Sequence, residues 1–555
     1  IMSHLSKVFN KVPVKVQKRS GFDMSHENLF TAKVGSLIPA SVEEVMPGDV
    51  VSVGAALAVE LPPLATNFKG RVDARLEAFF VPNRLLWAGW KDFICQDPNH
   101  QPAVPSYTVS ASIPKVRLTQ TDTLAGSLAD YLGIKGASGL QGTEVSGDFN
   151  ALPFLAYWKI WDDWYRDSNI QQPFFVDGID YTSGSAPTII SAAYAPYMRS
   201  TGVMSNSTQG VPNSSNGKVI GYNGKKLFDI AQRNFAKDYF TTMTTAPQSG
   251  AASNLEFTIT ADPSVVDSQT GLISGNGSFS IASLRAANSL QKWLERNNIA
   301  GTRYYDQILA HYGVLPSDAV FQRSVLLGAE TVPVIINSIA QQAQGTNNQG
   351  KNPYANSTGA QFGRGNAFGK GRLIDNFEVK EHGYIIVLFS LVPHAYYSTG
   401  IRKYIGQRDG SSTFAFPEFA GIGDQPVMKS ELHSPVFGSA NDTTVGYVQR
   451  YAEYKYHDDE VHGLLTDGAS LDSFVLQRGF DGTAALNSSM LEIPTTYMDN
   501  VMITTTGVSG FNCVVDCYFD AKYLRALPEY SLPTLCESEG DSGKTVMVNK
   551  GGTRL

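Results

Sequence analysis

Residues 71–93 read RVDARLEAFFVPNRLLWAGWKDF, and the period of their first half decides the fold. Val72, Ala74, Leu76, Ala78 and Phe80 alternate with Arg71, Asp73, Arg75, Glu77 and Phe79, the period of two expected of a strand with one buried face. Pro82 and Asn83 then turn the chain out of the sheet. The aromatics that follow, Trp87, Trp90 and Phe93, stand beside Lys91. They suit stacking on unpaired bases, or packing against a neighbour or a covering helix, and packing is the preferred role.

Working outward, DVVSVGAALAVEL from Asp49 is a second strand candidate ahead of this one. Near the other end, YIIVLFSLVP (Tyr384–Pro393), VGYVQRYAEYKY from Val445, NVMITTT from Asn500 and FNCVVDCYFDA from Phe511 give four more. Strands cluster at both ends of the sequence, so a sheet assembled from the two ends encloses a central excursion. The expected class is mainly β, a sandwich with long helical and loop insertions. Core strands are placed at 31–95 and 375–535, insertions at 96–374, a basic arm at 1–30 and a polar tail at 536–555.

Inside the excursion, Phe154, Trp158, Trp161 and Tyr165 recur at helical spacing, predicting a helix near 154–166. A second is expected over 281–297, with Ala287, Leu290, Trp293 and Leu294 on its buried side, and a third near 303–312. Segments 181–224 and 248–280 are rich in Ser, Thr, Gly and Asn and read as long exposed loops. From Gln341 to Arg372 the chain turns Gln-, Asn- and Gly-rich and carries Lys351, Arg364, Lys370 and Arg372 without an acidic residue; it reads as a basic, flexible segment.

Composition narrows the function. The 555 residues carry a net charge of −7, so the whole chain is no electrostatic binder of nucleic acid. Residues 1–20, however, hold Lys7, Lys11, Lys15, Lys18 and Arg19 with no acid, an arm suited to phosphate. Charged residues make up only 17%, which suits a surface buried against copies of itself. Four cysteines are too few for a disulfide framework; Cys513 and Cys517, roughly 13 Å apart along one strand, read as core packing. No signal peptide is read at the start, no apolar run is long enough for a membrane helix, and a soluble protein is expected.

Signatures of catalysis fail one by one. Gly543-Lys544-Thr545 lacks the glycine that should open a phosphate loop, its place being taken by Ser538. His457 and His462 are five apart and lack the HExxH pattern. Asp458, Asp459 and Glu460 between them are a candidate for a hard cation, though such clusters are more often solvated turns. There is no GxSxG elbow, and no pair among the 51 acidic residues stands out for glycoside hydrolysis. No enzyme activity and no cofactor are expected; a secreted carbohydrate-active or sugar-binding β protein is kept as the alternative.

The longest ordered stretches then resemble a known family. RSGFDMSHENLFT at Arg19, GSLIPASVEEVMPGD at Gly35, FFVPNRLLWAGWKDF at Phe79, YWKIWDDWYRD at Tyr157, AGTRYYDQILAHYGV at Ala300, EHGYIIVLFSLVPHAYY at Glu381 and RYAEYKY at Arg450 are similar, in order, to blocks of the major capsid proteins of the Microviridae, the gokushovirus-like branch above all. The resemblance implies an eight-stranded antiparallel jelly roll and a homo-oligomeric T=1 icosahedral shell around circular single-stranded DNA. It further implies assembly in the bacterial cytoplasm and residence in the virion. The partners it implies are a scaffolding protein, a DNA pilot protein, a small basic DNA-packaging protein and a host surface receptor, the last met by an inserted loop, with 248–280 the first candidate and 181–224 the second. For DNA inside an acidic shell, neutralisation is expected from Lys7, Lys11, Lys15, Lys18 and Arg19, helped by Lys351, Arg364, Lys370 and Arg372.

Overall fold

A computed structural model describes residues 19–95, 113–117, 125–134, 148–174, 179–180, 188–189, 203–204, 227–248, 281–340, 361–502 and 511–529, less a few isolated positions within these ranges. The arm lysines, Lys351, the tail at 536–555 and almost all of 181–224 and 248–280 lie outside the described residues.

Ten strands build two facing antiparallel sheets. They are β1 (Ser20–Asp23), β2 (His26–Ala32), β3 (Ile38–Val45), β4 (Val50–Glu60), β5 (Val72–Pro82), β6 (Val325–Pro333), β7 (Ile335–Ala340), β8 (Gln361–Glu378), β9 (Gly383–Pro393) and β10 (Cys513–Arg525). In the first sheet the order is β1-β10-β4-β8-β7, with β2 also paired to β10; in the second it is β6-β5-β9-β3. Each sheet therefore interleaves strands from the two ends of the sequence, as the clustering of strand patterns implied.

The inward faces interlock as one core. Val72, Ala74, Leu76, Ala78 and Phe80 of β5 and Ile385, Val387, Phe389 and Leu391 of β9 meet Val51, Val53, Leu57 and Val59 of β4 and Val515, Cys517 and Phe519 of β10. Cys513 and Cys517 are buried free thiols there, and burial pushes both up to about 12, far from the range in which a thiolate reacts.

A third layer covers the second sheet. Helices of this layer include α1 (Asn83–Leu86), α2 (Trp90–Cys95) and α3 (Leu152–Ile160, continued by a π-helical turn to Tyr165); elsewhere α4 (Ile281–Ala300) and α5 (Tyr304–Tyr312) pack together as a hairpin. Phe79 and Val81 of β5 and Tyr384, Ile386 and Leu388 of β9 turn away from the sandwich into a second core with Phe154, Tyr157 and Trp158 of α3. All eleven residues of β9 are consequently buried, which is why this strand is an unbroken apolar run and not an alternation. The layer is pinned by polar bonds: Tyr157 Oη donates to the Leu37 carbonyl at 2.8 Å, and Trp158 Nε1 to that of Leu227 at 2.8 Å. Arg233 reaches Glu77 of β5 at 2.6 Å. Burial by itself would raise the Glu77 carboxyl, but Arg233 and the Tyr165 hydroxyl outweigh it and hold the group below its ordinary range.

Four expectations need correction. The segment ending at Arg372 is no flexible loop from residue 361 onward: it is β8, an eighteen-residue strand. Core strands begin at Ser20 and include residues 325–378, so the sandwich reaches well outside 31–95 and 375–535. In VGYVQRYAEYKY only the start is a strand (Thr444–Val448), paired with Gln425–Met428 outside the two main sheets; at Tyr451 the backbone turns left-handed. Leu290 and Trp293 of α4 were expected to be buried and are exposed. The three expected helices themselves stand within a few residues of their expected bounds. Among the described residues no helix is long and apolar enough to cross a membrane.

Candidate nucleic-acid face and packing surfaces

β8 explains its own composition. Its residues alternate glycine or alanine inward (Gly363, Gly365, Ala367, Gly369, Gly371) with Arg364, Asn366, Phe368, Lys370 and Arg372 outward. Close approach of β6 requires the small side: a Cβ at Gly369 would overlap the Val332 side chain, and one at Gly371 the Glu330 carboxylate. The outward side is a row of cations around an aromatic ring.

Neighbouring strands complete this face. Lys370 lies across from Ala56 of β4, which lies across from Tyr518 of β10. Outward positions of β4 are small (Ser52, Gly54, Ala56, Ala58), leaving a shallow trough between Phe368, 69% exposed, and Tyr518, 47% exposed. Arg364 pairs with Glu60 at 3.2 Å, and Arg372 pairs with Asp375 at 2.8 Å and donates to Ser52 Oγ at 2.9 Å. Lys370 has no acidic partner among the described residues. Exposed cations beside exposed rings over a flat, small-residue floor can meet phosphates and stack bases without reading sequence. Arg19 sits at the start of β1, 3.8 Å from Glu378.

The aromatics after β5 have a different place. Trp87 is fully buried in the core shared with α3, its ring 5.7 Å from Phe93; Trp90 lies 6.0 Å from Phe93 and 5.7 Å from His382. Trp90 and Phe93 are half-buried against the same core. The covering helix of the sequence reading is α3, and these three side chains pack within the chain.

The acidic cluster is dispersed. Glu460 is clasped by Arg402 through both carboxylate oxygens and lies 3.1 Å from His462. Asp459 contributes its carbonyl to the Tyr397 N–H at 2.9 Å. Asp458 alone is left with a buried oxygen lacking a hydrogen bond, and burial, reinforced by Asp238 and Glu460, pushes its carboxyl up to about 7. Among the described residues no group of three or more His, Cys, Asp or Glu could hold a metal ion. The cluster instead borders a cavity of about 640 Å³ shared with Tyr239, Tyr397, Arg402 and Glu431. Buried Lys403 neutralises Glu431 at 3.2 Å.

Sequence reasoning missed Phe368 and Tyr518 as members of the outer face. The period-two signal was present from Gly363 to Arg372, masked by glycines that read as loop.

Comparison with known proteins fits a structural chain. The family described as "Capsid protein (F protein)" matches residues 10–535. The chain is 27% identical to capsid protein VP1 of Chlamydia phage 1, over 95% of this chain and 97% of that one. It is 26% identical to VP1 of Bdellovibrio phage phiMH2K, over 96% and 98%, and 24% identical to VP1 of Spiroplasma virus 4, over 93% and 95%.

Proposed function

The chain belongs to the capsid protein (F protein) family, and from that premise we propose that it is the major capsid protein of a small phage of the Microviridae type, forming a T=1 icosahedral shell around circular single-stranded DNA. A structural role in the virion follows from the family itself, and the relatives give no support to a carbohydrate-active or sugar-binding protein. The observation that carries the proposal is the match over residues 10–535, almost the whole chain. The subunit fold is read as a jelly roll. What supports it is the facing of β2-β10-β4-β8 against β3-β9-β5-β6, with β1 and β7 as additions to an eight-stranded core.

Shell closure needs a rigid β core and repeated weak contacts between copies. The genome needs cations. The outer face of the first sheet, with Arg364, Lys370 and Arg372 around Phe368, is directed at the DNA, and the arm from Lys7 to Arg19 adds charge to it. Scaffolding, pilot and DNA-packaging proteins act on the same particle during assembly in the host cytoplasm, and the inserted loops at 248–280 or 181–224 meet the host receptor. Negative-stain microscopy of the expressed full-length chain tests the shell: uniform icosahedral particles are expected, and dispersed protein overturns it. Replacing Arg364, Lys370 and Arg372 with Gln is expected to lower the DNA retained per particle; unchanged retention removes the sheet face from the genome-binding role.

A further inference from the structure

The hairpin of α4 and α5 leaves large apolar side chains in water. Polar contacts tie it to the body of the protein and to itself. Arg303 at the junction donates to the carbonyls of Asp163 at 3.2 Å and Arg166 at 3.0 Å, and between the two helices His311 Nε2 lies 2.6 Å from Asn297 Oδ1. Asn298 donates to Thr244 Oγ1 at 3.1 Å. Trp293 of α4, Tyr312 of α5 and Leu315 just after it are 51%, 79% and 69% exposed, and α5 has no fully buried residue. A nine-residue helix is not stable in water by propensity, and amphipathic helices are held by covering the apolar side. Here polar contacts do much of the holding, and large apolar side chains stay in water.

The exposed apolar surface continues onto the turn at 416–422. Gly423, just beyond the turn, lies against the Glu295 carboxylate of α4, and Phe419 and Ile422 of the turn are exposed. Two segments more than a hundred residues apart thus join in one uncovered patch, of the size and aromatic content that mark protein contacts. Both charge signs border it: Arg285, Lys292 and Arg296 are exposed on α4, Glu418 on the turn. A surface carrying both signs around an apolar centre can be covered by a second copy of itself with opposite charges facing.

We propose that the α4–α5 hairpin and the 416–422 turn form a contact surface for a second copy of this chain. The proposal rests on the shell reading above and names which surface joins the copies. Sedimentation velocity and negative-stain microscopy of the full-length chain test it together, with Trp293→Glu and Leu315→Glu as disrupting variants and Trp293→Phe as the conservative one. Circular dichroism and the urea midpoint of each variant establish that the subunit still folds, as expected for substitutions at exposed positions. Association of the wild type is expected to weaken at least tenfold in each Glu variant, with loss of particles, and to persist in Trp293→Phe. Glu variants that associate like wild type overturn the proposal, as does a wild type that stays monomeric at all concentrations. Association that depends on the patch but yields no closed particles overturns the shell reading and leaves this contact standing.

Discussion

β9 and α5 are both rich in apolar side chains and meet different fates. YIIVLFSLV in β9 is buried on both faces between two cores, whereas YYDQILAHY in α5 has no fully buried residue and leaves Tyr304, Leu309 and Tyr312 exposed. Apolar content therefore does not distinguish a side chain that holds the subunit together from one that awaits a partner. Placement does: β9 is one of the two central strands of the middle layer, and α5 is tied to the body at its start by Arg303 and its carbonyl partners.

The comparison is broken or sharpened by substitutions graded in effect. Phe389→Ala, at the centre of β9, removes a fully buried ring and is expected to lower subunit stability by about 4 kcal/mol in urea unfolding. Arg233→Ala leaves Glu77 buried without its cation beneath the helical layer, and a loss of about 3 kcal/mol is expected by the same measurement. Gly369→Ala drives a methyl into the Val332 side chain of the facing sheet; about 2 kcal/mol should be lost, with the far-ultraviolet spectrum unchanged.

A smaller effect is expected at Asp458. Its folded pKa is raised from 3.8 to about 7, so the folded state binds more protons than the unfolded one between those values. The sign follows: stability contributed by this group is full at low pH and is lost as pH rises through about 7. With solvent screening of a partly exposed site, Asp458→Asn should match wild type at pH 4 and exceed it by about 1 kcal/mol at pH 8. Least of all, Tyr312→Ala should change the stability of the isolated subunit by under about 0.5 kcal/mol, because its ring is already in water. A large loss there would show that α5 is held by its apolar side after all.

How much was legible depends on whether the signal was local. The strands β4, β5 and β10 announced themselves by strict alternation, and the helix at α3 by Phe154, Trp158 and Trp161 at helical spacing. β8 was hidden because its inward face is glycine, chosen by the approach of Val332 and Glu330 from a strand some forty residues earlier. The same cause hid the outer face, since Lys370 and Tyr518 become neighbours only through Ala56 of a third strand. For α4 the spacing correctly gave an amphipathic helix with Leu290 and Trp293 on one side, and nothing local could say whether the body would meet that side or the other.

The sequence by itself determined the class of structure, the period of each main strand and helix, and, through blocks spread over the chain, kinship with shell-forming proteins. Periodicity and short motifs are carried by residues close along the chain, where sterics and hydrogen bonding act without outside help. Only the tertiary structure decided that YIIVLFSLVP is sealed on two faces, that a glycine-rich basic stretch is a rigid strand presenting Arg364, Lys370 and Arg372 in a row, and that Leu290 and Trp293 of the α4–α5 hairpin stand exposed. Burial is a property of what lies opposite, and what lies opposite comes from far along the chain or, at that hairpin, from another copy.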